Sequence, residues 1–108
     1  MATKRGIHGQ AAPSSGVLTD LYTVPGAKNA TVRVIISNRS ATPTSFRVSA
    51  AIGGAADDVA QYIAFDTPID GNDTGSTVPF MVDAGDIIRV RAALGNLSFV
   101  VSGLEQDI

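Results

Sequence analysis

Residues 62–91 read YIAFDTPIDGNDTGSTVPFMVDAGDIIRVR. A short apolar run, Tyr62-Ile63-Ala64-Phe65, meets Asp66-Thr67-Pro68, and a polar turn follows at Asp70-Gly71-Asn72-Asp73. A second apolar run ends at Val82, and Asp83-Ala84-Gly85-Asp86 then turns the chain into Ile87-Ile88-Arg89-Val90-Arg91. Short runs of β-branched and aromatic residues, punctuated by Asp, Asn and Gly, are the pattern of consecutive β-strands. The segment decides for an all-β chain whose strands lie in, or cross between, two sheets.

The same grammar continues on both sides. From Val17 onward, turn signals recur about every ten residues, the spacing of a β-sandwich. Strands are predicted at 17–24, 30–37, 45–52, 61–65, 74–82, 87–93 and 97–104. In the second, Val32, Val34 and Ile36 share one face and Thr31, Arg33 and Ser37 the other, with Ile35 interrupting the polar face. In the third, Phe46, Val48, Ala50 and Ile52 alternate with Arg47, Ser49 and Ala51. In the sixth, Ile88, Val90 and Ala92 point inward and Arg89 and Arg91 outward. Pro68 is expected to stop its ladder, and Pro79 to mark an edge or a bulge. Residues 1–16, MATKRGIHGQAAPSSG, are small, polar and basic, with Pro13 and Gly16 as breakers. They read as an extended N-terminal arm, ordered only where something holds it. The expected organisation is therefore an arm at 1–16 and a β-sandwich domain at 17–108. The sandwich is antiparallel, with about seven or eight strands wired as a jelly roll or an Ig-like Greek key.

Composition narrows the function. The chain has 108 residues, enough for one domain with a real core. Its charged content is 17%, below the usual quarter, which fits a surface partly covered by partners. A net charge of −2 argues against nucleic-acid and membrane binding. Cysteine is absent, which fits maturation in a reducing cytoplasm, with oligomerisation as a source of stability. Lys4 and Arg5 are followed by Gly6-Ile7-His8-Gly9 rather than an apolar run, so no signal peptide is read.

Little chemistry is left. His8 is the single histidine and lies in the arm, where a Ser–His–Asp device has no buried setting. One histidine and no cysteine leave no zinc or copper ligand set. Asp70-Gly71-Asn72-Asp73-Thr74-Gly75 opens like a calcium loop, but its twelfth position is Met81, where a bidentate Glu is needed. It reads as a hairpin turn, with convergence of carboxylates from separate turns left open. An Asp pair acting on glycosides needs a cleft and a raised acid, for which so small a sandwich has little room. The sequons at Asn29, Asn38, Asn72 and Asn96 all fall at turns and read as turn chemistry. Arg33, Arg47, Arg89 and Arg91 sit on outward phases of three strands. They would form a basic stripe if those strands were neighbours, a solvated face or a partner contact without interleaved aromatics.

Several stretches carry a resemblance. They are Asp20-Leu21-Tyr22-Thr23-Val24-Pro25-Gly26-Ala27-Lys28, Val32-Arg33-Val34-Ile35-Ile36-Ser37-Asn38-Arg39-Ser40 and Phe46-Arg47-Val48. Further on come Tyr62-Ile63-Ala64-Phe65-Asp66-Thr67-Pro68-Ile69, Ala84-Gly85-Asp86-Ile87-Ile88-Arg89-Val90 and Leu97-Ser98-Phe99, with Lys4-Arg5-Gly6-Ile7 and Gly9-Gln10 at the start. Together they resemble a β-rich family of small tailed-bacteriophage virion proteins. The common Pro-Ala-Gly-Lys turn of that family is here Pro25-Gly26-Ala27-Lys28, which shifts the position suited to φ > 0.

The resemblance implies a structural part of the virion, assembled in the host cytoplasm, with no catalytic residue, cofactor or metal to carry over. A capsid decoration or cement protein is the first expectation, with the major capsid protein and its own copies as partners. Local three-fold axes favour a homotrimer. Nucleic acid and membrane are not expected partners. The expected contact residues are Lys4, Arg5, Ile7 and His8 in the arm, with Arg89 and Arg91 on the outward sheet face. A tail, baseplate or fibre-associated part is the alternative. A host-surface carbohydrate-binding module is a third, and would show exposed aromatics over a shallow site.

Overall fold

The computed structural model describes residues 3–108. Nine strands are found among them: β1 Thr3–Ala11, β2 Thr19–Thr23, β3 Lys28–Asn38, β4 Thr44–Ala51, β5 Tyr62–Ile69, β6 Thr74–Ser76, β7 Phe80–Asp83, β8 Ile87–Ala92 and β9 Leu97–Asp107. Two single-turn helices, Ile52–Gly54 and Val59–Gln61, interrupt the path between β4 and β5. No helix of the described residues is long and apolar enough to cross a membrane.

The strands form two antiparallel sheets. The first has the order β1-β9-β3, with both β6 and β7 along the far side of β3; the second has the order β2-β8-β4-β5. The chain changes sheet at every connection except β4 to β5 and β6 to β7. That is the wiring of an eight-stranded jelly roll in which one strand position is filled by two short pieces. It resolves the choice left open by turn spacing, because an Ig-like key does not alternate sheets in this way.

The core lies between the sheets, as the alternation in β3 and β8 requires. Val32, Val34 and Ile36 face Phe99, Val101 and Leu97 along the first sheet, and Val48, Ile88, Val90 and Ala92 close it from the second. Phe46 meets Phe99 edge to face, with centroids 6.4 Å apart. At about 25 cal/mol per Å² of buried apolar surface, this layer supplies the main favourable term in folding.

The structure corrects the sequence reading in several places. Residues 3–11 are an edge strand of the first sheet, paired with β9 from Thr3↔Gln106 to Ala11↔Phe99. The remainder of the supposed arm is also held: Pro13 is buried, and the Ser15 hydroxyl and Gly16 N–H donate to the carbonyls of Ala93 and Ala92. Met1 and Ala2 lie outside the described residues. The segment carries no alternating apolar pattern, its side chains being mostly polar, basic or small. An edge strand is held chiefly by backbone hydrogen bonds, and those leave no trace in side-chain hydrophobicity.

Strand β5 runs through Pro68, which pairs with Ser45; β5 is an edge, so the missing N–H faces away from the ladder. The predicted strand at 74–82 divides at Thr77-Val78-Pro79. There Thr77 bridges the gap, its hydroxyl accepting the Val34 N–H at 3.0 Å and its own N–H donating to the Val34 carbonyl. In β4, Phe46 and Val48 point inward as expected, but Ile52 leaves the strand and is 83% exposed. Ser49 and Ala51 are buried on the outer side instead, where the segment following β4 folds back over the sheet.

Candidate functional site

The outer face of the second sheet is built around Arg47. Strand β5 carries a bulge here: Thr67 pairs with Phe46 and Ala64 with Val48, so Phe65 and Asp66 together oppose Arg47. Asp66 takes φ 49°, a left-handed conformation that Asp tolerates better than most residues. A bulge of this kind re-aims side chains. The Asp66 carboxylate accepts from Arg47 Nε at 2.7 Å and from Nη2 at 3.1 Å, while the guanidinium carbon stands 3.9 Å from the Phe65 ring centroid. Tyr62 meets Phe65 edge to face at 5.0 Å and donates to Asp57 at 2.8 Å. The Arg47 hydrogen bonds, with Arg91 adding to the field, hold the Asp66 carboxyl below its ordinary range. Burial, then the bond to Asp57, pushes the Tyr62 phenol up.

Arg89 and Arg91 lie on this same face, but their donors serve the fold. Arg89 Nε donates to Asp20 at 3.1 Å, and its terminal nitrogens donate to the carbonyls of Ala55 and Gly54, clamping the loop that covers Ser49. Arg91 Nε reaches the Gly16 carbonyl at 3.4 Å. Arg33 stands on β3 in the other sheet, so the stripe of four arginines is divided between two faces. Of the three that share a face, Arg47 does have aromatic neighbours, Phe65 and Tyr62, which sequence phase alone did not reveal. A bulge shifts that phase, and only the ladder shows where it falls.

At one end of the core, the single histidine enters a buried polar corner. The Tyr22 hydroxyl donates to Glu105 at 2.5 Å. The His8 ring lies 5.7 Å from the Tyr22 ring, and its Nε2 is 3.2 Å from the Gly103 carbonyl, placed to donate. His8 occupies a bulge between Ile7 and Gly9 that turns it inward. Burial, followed by the bond to Glu105, pushes the Tyr22 phenol well above the ordinary tyrosine value. No serine or threonine hydroxyl bonds to the His8 ring among the described residues; its Nδ1 is buried without a hydrogen-bond partner, while Nε2 meets the Gly103 carbonyl.

Lys4, Arg5 and Ile7 are exposed along β1, on the opposite side of the sandwich from Arg89 and Arg91. The six expected contact residues are thus not one patch. Ladder registry extends the β1 surface across the first sheet. Arg5 lies opposite Leu104, Leu104 opposite Thr31, and Thr31 opposite Met81; Ile7 lies opposite Ser102, and Ser102 opposite Arg33. Met81 is 79% exposed and Val78, beside it, 72%. Among the described residues, Lys4, Arg5 and Arg33 belong to none of the ion pairs, which are Lys28–Asp107, Arg47–Asp66 and Arg89–Asp20.

A groove of about 340 Å³ opens between the edges of the two sheets, lined by Phe46, Thr67, Pro68, Asp70, Asp73 and Ser76 among others. The loop carboxylates do not converge: no three acidic or histidine side chains of the described residues gather at metal-ligating distance. Asn38 is buried, with Nδ2 donating to the carbonyls of Thr42 and Asp70 and Oδ1 accepting from Ser40, so this sequon residue ties two turns together.

No family model matches the chain, and no curated protein matches it. Among solved structures, it is similar to a pentameric capsid protein isolated from metagenomic phage sequences, at 18% identity and a TM-score of 0.43, with 96% of this chain and 62% of that one covered. It is also similar to a chain in the structure of infectious bursal disease virus, Gx strain, at 13% identity and a TM-score of 0.47, with 96% of this chain and 30% of that one covered. The chain therefore spans less than two thirds of the length of either.

Proposed function

We propose that this chain is a non-enzymatic structural protein of a tailed-bacteriophage virion, and most concretely a capsid decoration protein that binds the assembled head. The observation that carries this reading is the first sheet. It presents an outer face and two edges with exposed Arg5, Ile7, Thr31, Arg33 and Met81, while Arg47, Arg89 and Tyr22 elsewhere are tied into the fold by hydrogen bonds. A jelly roll with one bare sheet suits lateral packing on a shell, and jelly rolls recur in capsid proteins. The stretches resembling small phage virion proteins support it, among them Asp20–Lys28 and Ala84–Val90. Its partners are the major capsid protein and further copies of itself, with a homotrimer fitting local three-fold axes. Binding only the assembled state stabilises that state by mass action.

The test is reconstitution with purified heads lacking the protein. Co-sedimentation in stoichiometric, capsid-scale copy number, with a raised thermal disruption temperature of the head, is the expected result. Attachment to tails alone, in a few to a few dozen copies, would replace this reading with that of a tail or baseplate part. A second reading has its own observation: the exposed Phe65 ring against the half-buried Tyr62, beside Asp57 and Arg47, is an aromatic platform with polar neighbours, as a carbohydrate-binding module needs. Loss of glycan-array binding on Phe65→Ala would favour it, and an array on which the intact protein binds nothing removes it.

A further inference from the structure

Charge is segregated along this chain. Residues 1–19 hold Lys4 and Arg5 and no acid. Residues 48–88 hold Asp57, Asp58, Asp66, Asp70, Asp73, Asp83 and Asp86 and no Lys or Arg. The fold converts this linear pattern into a spatial one, because β1 forms one edge of the first sheet while β6 and β7 form the other. Lys4 and Arg5 are exposed on the first edge; Asp73 and Asp83 are exposed at the two ends of the second. Asp73 and Asp83 each accept a neighbouring backbone N–H, from Thr74 and Ala84, which leaves their charge uncompensated.

We propose that copies of this chain associate head to tail through these two edges, the basic β1 edge of one copy seated on the acidic β6–β7 edge of the next. Three features of the ladder fit the contact. Thr3, Gln106, Asn29 and Asp83 form one cross-strand row, and Arg5, Leu104, Thr31 and Met81 form another, so Asp83 lies level with the Lys4–Arg5 end of β1. Every pairing in the sheet is antiparallel, so a copy added by translation across it sets its β1 antiparallel to the neighbouring β7. Exposed Ile7 on one edge and Val78 and Met81 on the other supply apolar surface for the centre of the contact. Edge strands offer unpaired backbone groups that another chain can use, and charge complementarity fixes which edge meets which. Because the two surfaces differ, the contact is heterologous and generates a ring where its rotation closes.

The inference deepens the self-association within the reading above, and solution mass tests it without any capsid. A protein that self-associates but ignores heads would sink the virion reading and leave this one standing. Mass photometry and sedimentation of the full chain at low and high salt are the measurements. The expected results are an oligomer that dissociates as salt rises, and association weakened about tenfold or more by Lys4→Glu with Arg5→Glu, or by Asp83→Lys. Circular dichroism and an unchanged melting temperature verify that each variant is folded. Mixing the two variants should restore assembly, since each then supplies the edge the other lacks. A wild-type monomer under all conditions, a reversal without effect, or association strengthened by Lys4→Glu with Arg5→Glu would overturn the proposal.

Discussion

Tyr22 and Glu105 show how one pair can set the chemistry of a core end. Both are buried, and the phenol donates to the carboxylate. Removing the hydroxyl in Tyr22→Phe leaves the carboxylate without that donor, so the variant should lose about 1–3 kcal/mol by urea titration. Burial, and then Glu105, raises the Tyr22 value above that of an unfolded tyrosine. A raised value means that the stabilisation is complete below about pH 10 and is lost as pH climbs through the folded value. In a Tyr62→Phe background, ultraviolet absorbance should accordingly show Tyr22 protonated at about pH 10 and ionising only as the protein unfolds. Asp66 has the opposite sign. Arg47 lowers its carboxyl, so its contribution is present above about pH 4 and disappears as pH falls through the lowered value. The melting temperature of Asp66→Asn should therefore decline less than that of the parent between about pH 6 and about pH 3.

At the scale of elements, the first strand changes most in meaning. Thr3–Ala11 pairs with β9 along its length, and Ala11 packs against the core. Deleting residues 3–11 should uncover the edge of β9 and cost more than about 4 kcal/mol, or abolish folding, as read by circular dichroism and aggregation. Such a deletion tests stability, which is why charge reversal, not truncation, probes the contact role of Lys4 and Arg5. Two glycines show what the strand must accommodate. A Cβ at Gly9 would sit 2.3 Å from the Leu21 carbonyl oxygen, and one at Gly103 would sit 2.1 Å from that of Thr31. Gly103→Ala should thus destabilise by about 1–3 kcal/mol, measured by thermal or urea unfolding, because backbone must move to admit one methyl group. Strands such as β3 and β8 were legible from their alternating valines and isoleucines. Pro79, expected at an edge or a bulge, falls at the break between the edge strands β6 and β7; strand β1 and the bulge at Asp66 were not legible, since backbone pairing and register decide them.

For the whole molecule, the jelly-roll order makes neighbours of residues far apart in the chain: β1 pairs with β9 and β2 with β8. Loop closure must precede those contacts, so refolding should take milliseconds to seconds, as stopped-flow measurements would show. The sequence by itself determined the all-β class, one core, and the inward phase of Val32, Val34, Ile36, Ile88 and Val90, because a period of two is a local property written in side chains. It also contained the segregation of charge, with Lys4 and Arg5 far along the chain from the acids of residues 48–88. Only the tertiary structure decided which strands are edges, that Arg33 lies on a different sheet from Arg47, Arg89 and Arg91, and that Phe65 and Asp66 close together around Arg47. The physical reason is that strand pairing is made by backbone groups common to every residue, so register and sheet order emerge from the fit of the whole core and not from any one segment.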